Sequence, residues 1–113
     1  MSPTAPEVSI VIPVHNEEAL LEPALGELRE RLAALPLSYE IVLAENGSSD
    51  RTLERVFELE QAWPELRSVT LPTANYGRAL RRGLEVARGR YVVCDEIDIG
   101  DTDFYARALD LLR

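Results

Sequence analysis

The sequence has 113 residues, of which 46% are apolar and 28% are charged, a composition typical of one soluble globular domain. Twenty acidic residues outnumber 12 basic ones, and the formal charge of −8 excludes nucleic acid as a favoured partner because phosphate backbones repel it. All 12 basic residues are arginines, which excludes mechanisms that need a catalytic lysine, a Schiff base or a P-loop lysine.

The cysteine content and the N-terminus indicate where the protein resides. Cys94 has no partner for an internal disulfide, which favours a reducing compartment. No apolar run approaches the roughly 18 residues of a membrane-spanning helix, and the N-terminus lacks the features of a signal peptide. We therefore expect a cytoplasmic protein with a disordered leader over residues 1–7 and one domain over residues 8–113.

The first half of the chain predicts two strands, each followed by a helix. The β-branched run 8–14 is typical of a strand buried on both faces, and 39–44 predicts a second strand. Helical spacing after the first strand predicts a helix that begins near Glu22 and has the following leucines on one side: Leu21, Leu25, Leu28, Leu32 and Leu35. After capping residues at 48–50, the apolar side of a second helix is predicted to include Leu53, Val56, Phe57 and Glu60.

The second half predicts the same alternation. Segments 66–71 and 91–94 are expected to be strands, and Gly89 is expected to stop the helix between them. The buried side of that helix is predicted to consist of Leu80, Gly83, Leu84 and Ala87. After an acidic loop over 95–103, Thr102 is predicted to cap a last helix that buries Phe104, Ala108 and Leu111 or Leu112.

Strands that alternate with helices predict an α/β fold with a parallel sheet of about four strands and helices on both faces. Such sheets bind ligands beyond the carboxyl ends of their strands. We therefore expect function at those ends, where polar residues follow the strands at 13–18, 45–50 and 94–98.

These strand ends carry a family resemblance. Pro13-Val-His-Asn-Glu-Glu18, Glu45-Asn-Gly-Ser-Ser-Asp50 and Cys94-Asp-Glu-Ile-Asp98 resemble, in this order, the family 2 glycosyltransferase patterns P-x-[YH]-N-E-E, [DE]-[DN]-G-S-x-D and the D-x-D loop. The segment from Asn75 to Tyr91 resembles the N-x-G…G…A-x-G-x-Y signature of that family's polyprenyl-phosphate sugar transferases. Each motif alone is weak, but their order and spacing over nearly the whole chain are specific.

The resemblance implies a Rossmann-like half of a GT-A fold that binds a nucleoside-diphosphate sugar. It implies transfer of the sugar to an acceptor, either a polyprenyl phosphate or a saccharide, by a protein that is peripheral at the inner membrane face. Departure of the nucleoside diphosphate builds negative charge, which Mg²⁺ or Mn²⁺ held by carboxylates would neutralise. A divalent cation is therefore the expected cofactor.

The acidic loop supplies the candidate metal ligands. A strict D-x-D places two acids two residues apart, whereas Asp95 and Asp98 are three apart, with Glu96 between them. If the loop bulges by one residue, the resemblance implies that Asp98 is a metal ligand and Asp95 a ribose or metal contact. Either Asp95 or Glu96 can pair with Asp98. Asp101 and Asp103 are assigned instead to the positive end of the last helix.

The second strand end supplies candidate contacts to the nucleobase. Glu45 matches the family's acidic residue that accepts hydrogen bonds from the base, a role suited to a carboxylate. Asn46 replaces the commoner aspartate, and it is either a base contact or a left-handed turn residue before Gly47.

The first strand end and the third helix supply the remaining candidates. Pro13 and His15 match the family's contacts to base and ribose, and Glu17 is expected to reach the same pocket. We do not assign His15 as a catalytic base. Arg78 is the candidate for a guanidinium contact to the diphosphate.

No residue is assigned as the catalytic base, which leaves alternatives open. The chain could be a non-catalytic nucleotide-sugar-binding module or a fragment that lacks the acceptor half. A receiver domain needs a lysine, and a dinucleotide enzyme needs a G-x-G-x-x-G after the first strand; both are absent. An uncovered sheet edge is expected to favour a homo-oligomer.

Overall fold

The computed structural model describes residues 5–97 and 102–112. Its elements are β1 (Val8–Val14), α1 (Leu21–Ala33), β2 (Tyr39–Asn46), α2 (Thr52–Ala62), β3 (Leu66–Leu71), α3 (Tyr76–Val86), β4 (Tyr91–Cys94) and α4 (Thr102–Leu112). The predicted bounds of the first, third and fourth strands are confirmed, and β2 runs two residues further than predicted.

The four strands form one parallel sheet in the order β3-β2-β1-β4. The register pairs Val8 with Tyr39 and with Tyr91, and it pairs Ile41 with Leu66. The predicted α/β fold is thereby confirmed. All carboxyl strand ends lie at one edge of the sheet, which we call the carboxyl edge; the opposite edge is the amino edge.

Helices cover both faces of the sheet. The face with the even-numbered residues of β1 packs against α1, α2 and α4, and it forms a core that includes Ile10, Ile12 and Leu43. The other face packs against α3, which contacts β1, β2 and β3. Every residue of β1 is therefore buried, as the run of β-branched residues predicts.

The predicted buried side of α3 is wrong in part. Ala79 and Gly83 are buried, whereas Leu84 is 42% exposed. A Cβ atom on Gly83 would lie 2.5 Å from Val11 Cγ1, so the helix sits too close to the sheet for a larger side chain. Close packing selects small residues here, although leucines are the more apolar candidates.

The predicted buried sides of α2 and α4 are also wrong in part: Val56 is buried as predicted, but the other buried residues lie about one position away from the predicted ones. In α2 the buried residues are Thr52, Val56 and Leu59, while Phe57 is exposed. In α4 the buried residues are Tyr105 and Leu109, while the following predicted core residues are exposed: Phe104, Leu111 and Leu112. The side chain of Thr102 and the residues 98–101 lie outside the described part of the chain.

The amino edge has a buried polar network around Glu40, whose side chain is 5% exposed. The Glu40 carboxylate accepts hydrogen bonds from Ser9 Oγ at 2.6 Å, Arg67 Nε at 2.8 Å and the Arg88 amide at 2.7 Å. Burial raises the pKa of Glu40, but the hydrogen bonds outweigh burial, and the net pKa lies below its ordinary value of 4.5. The fold therefore stabilises the ionised form of Glu40.

Gly89 does not cap α3 as predicted, because α3 ends at Val86 with Ala87 as its C-cap. Instead, the Gly89 amide donates to Ser9 Oγ at 2.7 Å, and a Cβ there would lie 2.5 Å from the Ser9 amide nitrogen. Gly89 is thus required for close approach of two backbones at the amino edge.

The ends of the described segments add two observations. Residues 1–4 of the predicted leader lie outside the described residues, whereas the Pro6 and Glu7 carbonyls accept hydrogen bonds from the Arg90 and Tyr91 amides. Within the described ranges, no helix is long and apolar enough to cross a membrane.

Candidate functional site

The carboxyl edge contains a cleft of about 270 Å³ between α3 and the end of β4. Its lining residues are Pro13, Tyr76, Cys94, Asp95 and Glu96. The cleft is lined partly by the end of β1 and partly by the first turn of α3. Two of the predicted site residues, Pro13 and Asp95, are therefore brought together.

Asn16 joins the loop after β1 to the loop after β2. Its backbone is left-handed, with a φ of 51°, and its Oδ1 accepts hydrogen bonds from the Ser49 amide at 2.8 Å and the Asp50 amide at 3.3 Å. The Asn16 amide in turn donates to Ser48 Oγ at 3.0 Å. Asparagine tolerates this backbone conformation better than most residues do. The two loops thus form one platform.

A second set of contacts extends this platform to the start of α2. The Glu17 amide donates to Thr52 Oγ1 at 2.8 Å, and the Thr52 amide donates to Asp50 Oδ1 at 2.9 Å. Hydrogen bonds from Thr52 hold the pKa of Asp50 below its ordinary value. Of the three predicted capping residues at 48–50, only Asp50 contacts the start of α2; both serines contact Asn16 instead.

Asn46 ties the loop after β1 to the loop before α3. Its backbone carbonyl lies 2.7 Å from His15 Nδ1, and its Oδ1 accepts from the Asn75 amide at 2.6 Å. Because a carbonyl can only accept, His15 carries a proton on Nδ1. The left-handed alternative for Asn46 is wrong: it belongs to β2, and the positive φ of 59° lies at Gly47.

Glu45 is buried, with 1% of its surface exposed. One carboxylate oxygen accepts from the Ser48 amide at 2.7 Å, and the other accepts from Thr70 Oγ1 at 2.7 Å. The structure therefore gives Glu45 a role in holding the turn after β2 against β3. Its predicted contact to a nucleobase stays a prediction.

Asp95 and Glu96 stand at the end of β4 with different surroundings. The Asp95 amide donates to the Val11 carbonyl at 3.0 Å, so its backbone is fixed to the sheet. Its carboxylate accepts from the Glu96 amide at 2.8 Å and from the hydroxyl of Tyr105. Glu96 is exposed and accepts from the Tyr76 hydroxyl at 2.8 Å, a hydrogen bond that raises the pKa of Tyr76.

The donor set at this position fits a hard divalent cation. Carboxylate oxygens of Asp95 and Glu96 are the ligand type that Mg²⁺ and Mn²⁺ prefer. Within residues 5–97 and 102–112 there is no group of three or more histidine, cysteine, aspartate or glutamate side chains that could hold a metal. Asp98, the predicted metal ligand, lies outside the described residues.

Arg78 does not line the cleft. Tyr76 and Arg78 are about 200° apart around the helix axis, at about 100° per residue. Arg78 is therefore on a different face of α3 from Tyr76, whose hydroxyl reaches Glu96, and it is not among the residues that line the cleft. The Arg78 amide donates to Asn75 Oδ1 at 3.1 Å, which makes Asn75 the N-cap of α3. A contact between Arg78 and a diphosphate stays a prediction.

Several residues that shape this site are not among those predicted from the sequence. Asn75 could have been found as a capping residue, since asparagine followed by a helical pattern is a known N-terminal signal. Asn16 could have been suspected from its position in a turn. Tyr76 and Tyr105 gave no signal, because their contacts join residues that are 20 and 10 positions apart.

Comparison with known proteins agrees with this geometry. The family model described as Glycosyl transferase family 2 matches residues 9–95. A protein of Synechocystis sp. named as an uncharacterized glycosyltransferase is 37% identical over 97 residues, which cover 84% of this chain and 30% of that protein. The undecaprenyl-phosphate 4-deoxy-4-formamido-L-arabinose transferase of Aeromonas hydrophila is 33% identical over 94 residues, covering 81% and 29%.

Among solved structures, the mannosyltransferase PcManGT of Pyrobaculum calidifontis, in complex with GDP-Man and Mn²⁺, superposes with a TM-score of 0.75. It is 25% identical to this chain, and the match covers 95% of this chain and 32% of that one. The chain thus spans about 30% of the length of the curated relatives it matches.

Proposed function

This chain belongs to glycosyl transferase family 2, and on that premise we propose that its carboxyl edge binds the nucleoside diphosphate of a sugar donor. The sugar would then be transferred to an acceptor by the whole enzyme of which this edge forms the donor site. The activity of the whole protein, its substrates and its cofactor all belong to this proposal.

One observation carries the proposal: the motif residues of three separate chain segments meet at one edge. Pro13, Tyr76 and Asp95 line one cleft, although they are far apart in sequence. The surrounding loops are held by the Asn16 and Asn46 hydrogen bonds, so the cleft has a preformed wall. Preformed clefts with a few polar groups are typical of small-molecule sites.

Within this proposal, the roles divide by chemistry. Asp95 and Asp98 would hold Mg²⁺ or Mn²⁺, and the bound cation would neutralise charge on the diphosphate as it leaves. The proposed nucleotide-sugar contacts are Pro13, His15, Glu17, Glu45, Asn46, Arg78 and Asp95. His15 suits such a contact as a ring held in place, because its Nδ1 donates to the Asn46 carbonyl and its Nε2 lies 3.3 Å from Asn16 Nδ2. We assign no general base.

The names of two relatives favour a lipid-phosphate acceptor over a saccharide. They are the Aeromonas hydrophila undecaprenyl-phosphate transferase and the dodecaprenyl-phosphate galacturonate synthase of Rhizobium johnstonii, which is 33% identical over 122 residues. We therefore propose that the whole enzyme acts at the cytoplasmic face of the membrane on a polyprenyl phosphate. A saccharide acceptor would be the alternative outcome of an acceptor screen.

Calorimetric titration tests the donor site directly. The chain is titrated with UDP, GDP and dTDP, each with Mn²⁺ and with EDTA, and the variant Asp95→Asn is compared. This change keeps the shape and one acceptor oxygen, which either Tyr105 or the Glu96 amide can use, and it removes the charge. We expect one diphosphate to bind with Mn²⁺ only, and we expect the variant to bind at least about tenfold more weakly.

The matched control is Asp110→Asn, which removes an exposed charge near the far end of α4. Its affinity should equal that of the unchanged chain. Absence of binding for all three diphosphates, or equal binding with Mn²⁺ and EDTA, would contradict the proposed donor site.

A further inference from the structure

Tyr105 is the largest fully buried side chain of α4 and has 1% of its surface exposed. Its ring belongs to the apolar core beneath the sheet, together with Leu21, Leu25 and Ile12. Its hydroxyl emerges from that core at the carboxyl edge and donates a hydrogen bond to Asp95 Oδ2. The hydroxyl of a core residue is thus hydrogen-bonded to Asp95, which lines the cleft.

The Asp95 carboxylate is constrained from two further directions. The Asp95 amide donates to the Val11 carbonyl at 3.0 Å, which fixes the backbone to β1. The Glu96 amide donates to Asp95 Oδ1 at 2.8 Å, so the Tyr105 hydroxyl and this amide hold opposite oxygens of one carboxylate. Two donors on two oxygens define the plane of the carboxylate.

The contact also joins the residue after β4 to α4. Asp95 directly follows β4, Tyr105 lies in the first half of α4, and the other acidic residues of the motif lie between them in the sequence. Helix α4 is held in place by its packing against α1. Through the Tyr105 hydroxyl, the position of α4 therefore determines the orientation of the Asp95 carboxylate. A displacement of α4 would therefore rotate or release Asp95.

We infer that Tyr105 is a positioning residue: its buried hydroxyl orients the Asp95 carboxylate for the divalent cation and diphosphate of the donor. This inference rests on the proposed function. Carboxylates that bind a metal are held by hydrogen bonds from a second layer of residues, and loss of such a bond weakens metal affinity about 10- to 100-fold. Tyr105 supplies that bond from an otherwise apolar core.

A merely structural role makes a different prediction. Buried tyrosine hydroxyls need a partner in any protein, so removal of the hydroxyl alone would change stability and leave ligand affinity unchanged. The metal dependence of binding therefore separates the two roles. Affinity for the diphosphate at saturating Mn²⁺ serves as the reference.

The test compares Tyr105→Phe with Tyr91→Phe by calorimetry and thermal melting. Tyr91 of β4 is the matched control. Its hydroxyl also joins β4 to α4, because it donates to the Leu112 carbonyl at 3.1 Å, but it does not contact Asp95. Each chain is titrated with the diphosphate that the unchanged chain binds, at several Mn²⁺ concentrations. We expect Tyr105→Phe to need about tenfold more Mn²⁺ for half-maximal binding, and Tyr91→Phe to need the same amount as the unchanged chain.

A measurement on the unchanged chain covers the case in which Tyr105→Phe does not fold. The Cζ resonances of ¹³C-labelled tyrosines are followed by NMR during titration with Mg²⁺ and the diphosphate. The Tyr105 resonance should shift at saturation, and the Tyr91 resonance should stay in place.

The outcomes distinguish the inference from the proposal on which it depends. If the unchanged chain binds the diphosphate with Mn²⁺ and Tyr105→Phe binds it with the same Mn²⁺ requirement, the inference alone is overturned. An unmoved Tyr105 resonance at saturation has the same meaning. If the unchanged chain binds no diphosphate, the proposed donor site fails and the inference fails with it.

Discussion

The two edges of the sheet both contain acidic side chains, but they use them differently. At the amino edge, Glu40 is buried and accepts from donors on three chain segments, those of Ser9, Arg67 and Arg88. At the carboxyl edge, Asp95 is half-buried and Glu96 is exposed. Acidic charge is enclosed by the fold at the amino edge, whereas the carboxyl edge has two accessible carboxylates, Asp95 and Glu96, beside the buried Glu45.

The backbone conformation also differs between the two edges. Among the described residues, positive φ angles occur only at Asn16 and Gly47, and both lie at the carboxyl edge. Residues in this conformation carry a cost of about 1–2 kcal/mol unless they are glycine, and such cost is concentrated at functional sites. The amino edge stabilises the fold, while at the carboxyl edge Asn16 and Gly47 allow the loops to adopt left-handed turns around a cleft.

The largest expected effect comes from breaking the amino edge. Glu40→Ala leaves the Ser9 hydroxyl without its acceptor and leaves the Arg67 guanidinium, which still donates to the Val86 carbonyl, without its carboxylate; loss of one partner of a buried ion pair costs about 3–5 kcal/mol. The free energy of unfolding, measured in urea, should fall by about 4 kcal/mol. Affinity of the folded fraction for the diphosphate should stay unchanged.

The control for this prediction is Glu30→Ala, which removes an exposed acid of α1 and should change stability by less than about 0.5 kcal/mol. Loss of diphosphate affinity in folded Glu40→Ala would show that the edges are not independent.

The next largest effect is expected at Gly47 on the carboxyl edge, with Gly26 of α1 as its matched control. A Cβ on Gly47 would lie 2.6 Å from the Ala74 nitrogen, and φ there is 59°, so Gly47→Ala should cost about 2 kcal/mol. Gly26 in α1 has no atom within 4 Å of such a Cβ, and Gly26→Ala should stabilise the chain by about 0.5–1 kcal/mol. Urea unfolding measures both changes.

Gly47→Ala should also weaken diphosphate binding, because the segment that must move precedes the N-cap of α3. Equal stability of the two glycine variants would contradict the strained backbone at Gly47. A stability loss with unchanged affinity would show that the loop before α3 does not shape the cleft.

The strand pattern was predictable because burial on both faces leaves a direct trace in the sequence. Runs of β-branched and apolar residues mark Val8–Val14 and Tyr39–Asn46, and both strands lie inside the sheet. The predicted second strand ends two residues before β2 does, because the Asn46-Gly47 pair resembles a turn. Its pairing with Leu71 of β3 extends the strand, and pairing between strands is a tertiary effect.

The helix faces were less predictable because hydrophobicity is only one cause of burial. Ala79 and Gly83 are buried since α3 approaches the sheet closely, and a search for large apolar residues favours Leu80 and Leu84 instead. In the site, motif order located Pro13 and Asp95, whereas the role of Tyr105 depends on how α4 packs. Contacts made by packing leave no periodic signal.

The smallest predicted effect is the pH dependence of stability that Glu40 gives to the amino edge. The pKa of Glu40 is lower in the folded chain than its ordinary value of 4.5, so its ionised form stabilises the fold. This contribution is complete above about pH 4.5 and is lost as the pH falls through the lower, folded-state pKa. Glu40→Gln, which stays neutral throughout, should lack it.

The difference in unfolding free energy between the unchanged chain and Glu40→Gln should be constant from about pH 6 to 8 and should shrink below about pH 4.5. Protonation of Glu40 is expected to lower the free energy of unfolding by less than Glu40→Ala does, because a protonated carboxyl group still accepts hydrogen bonds. A constant difference down to pH 3 would contradict a lowered pKa. It would also mean that the Glu40 charge contributes nothing beyond the neutral hydrogen bonds that glutamine can replace.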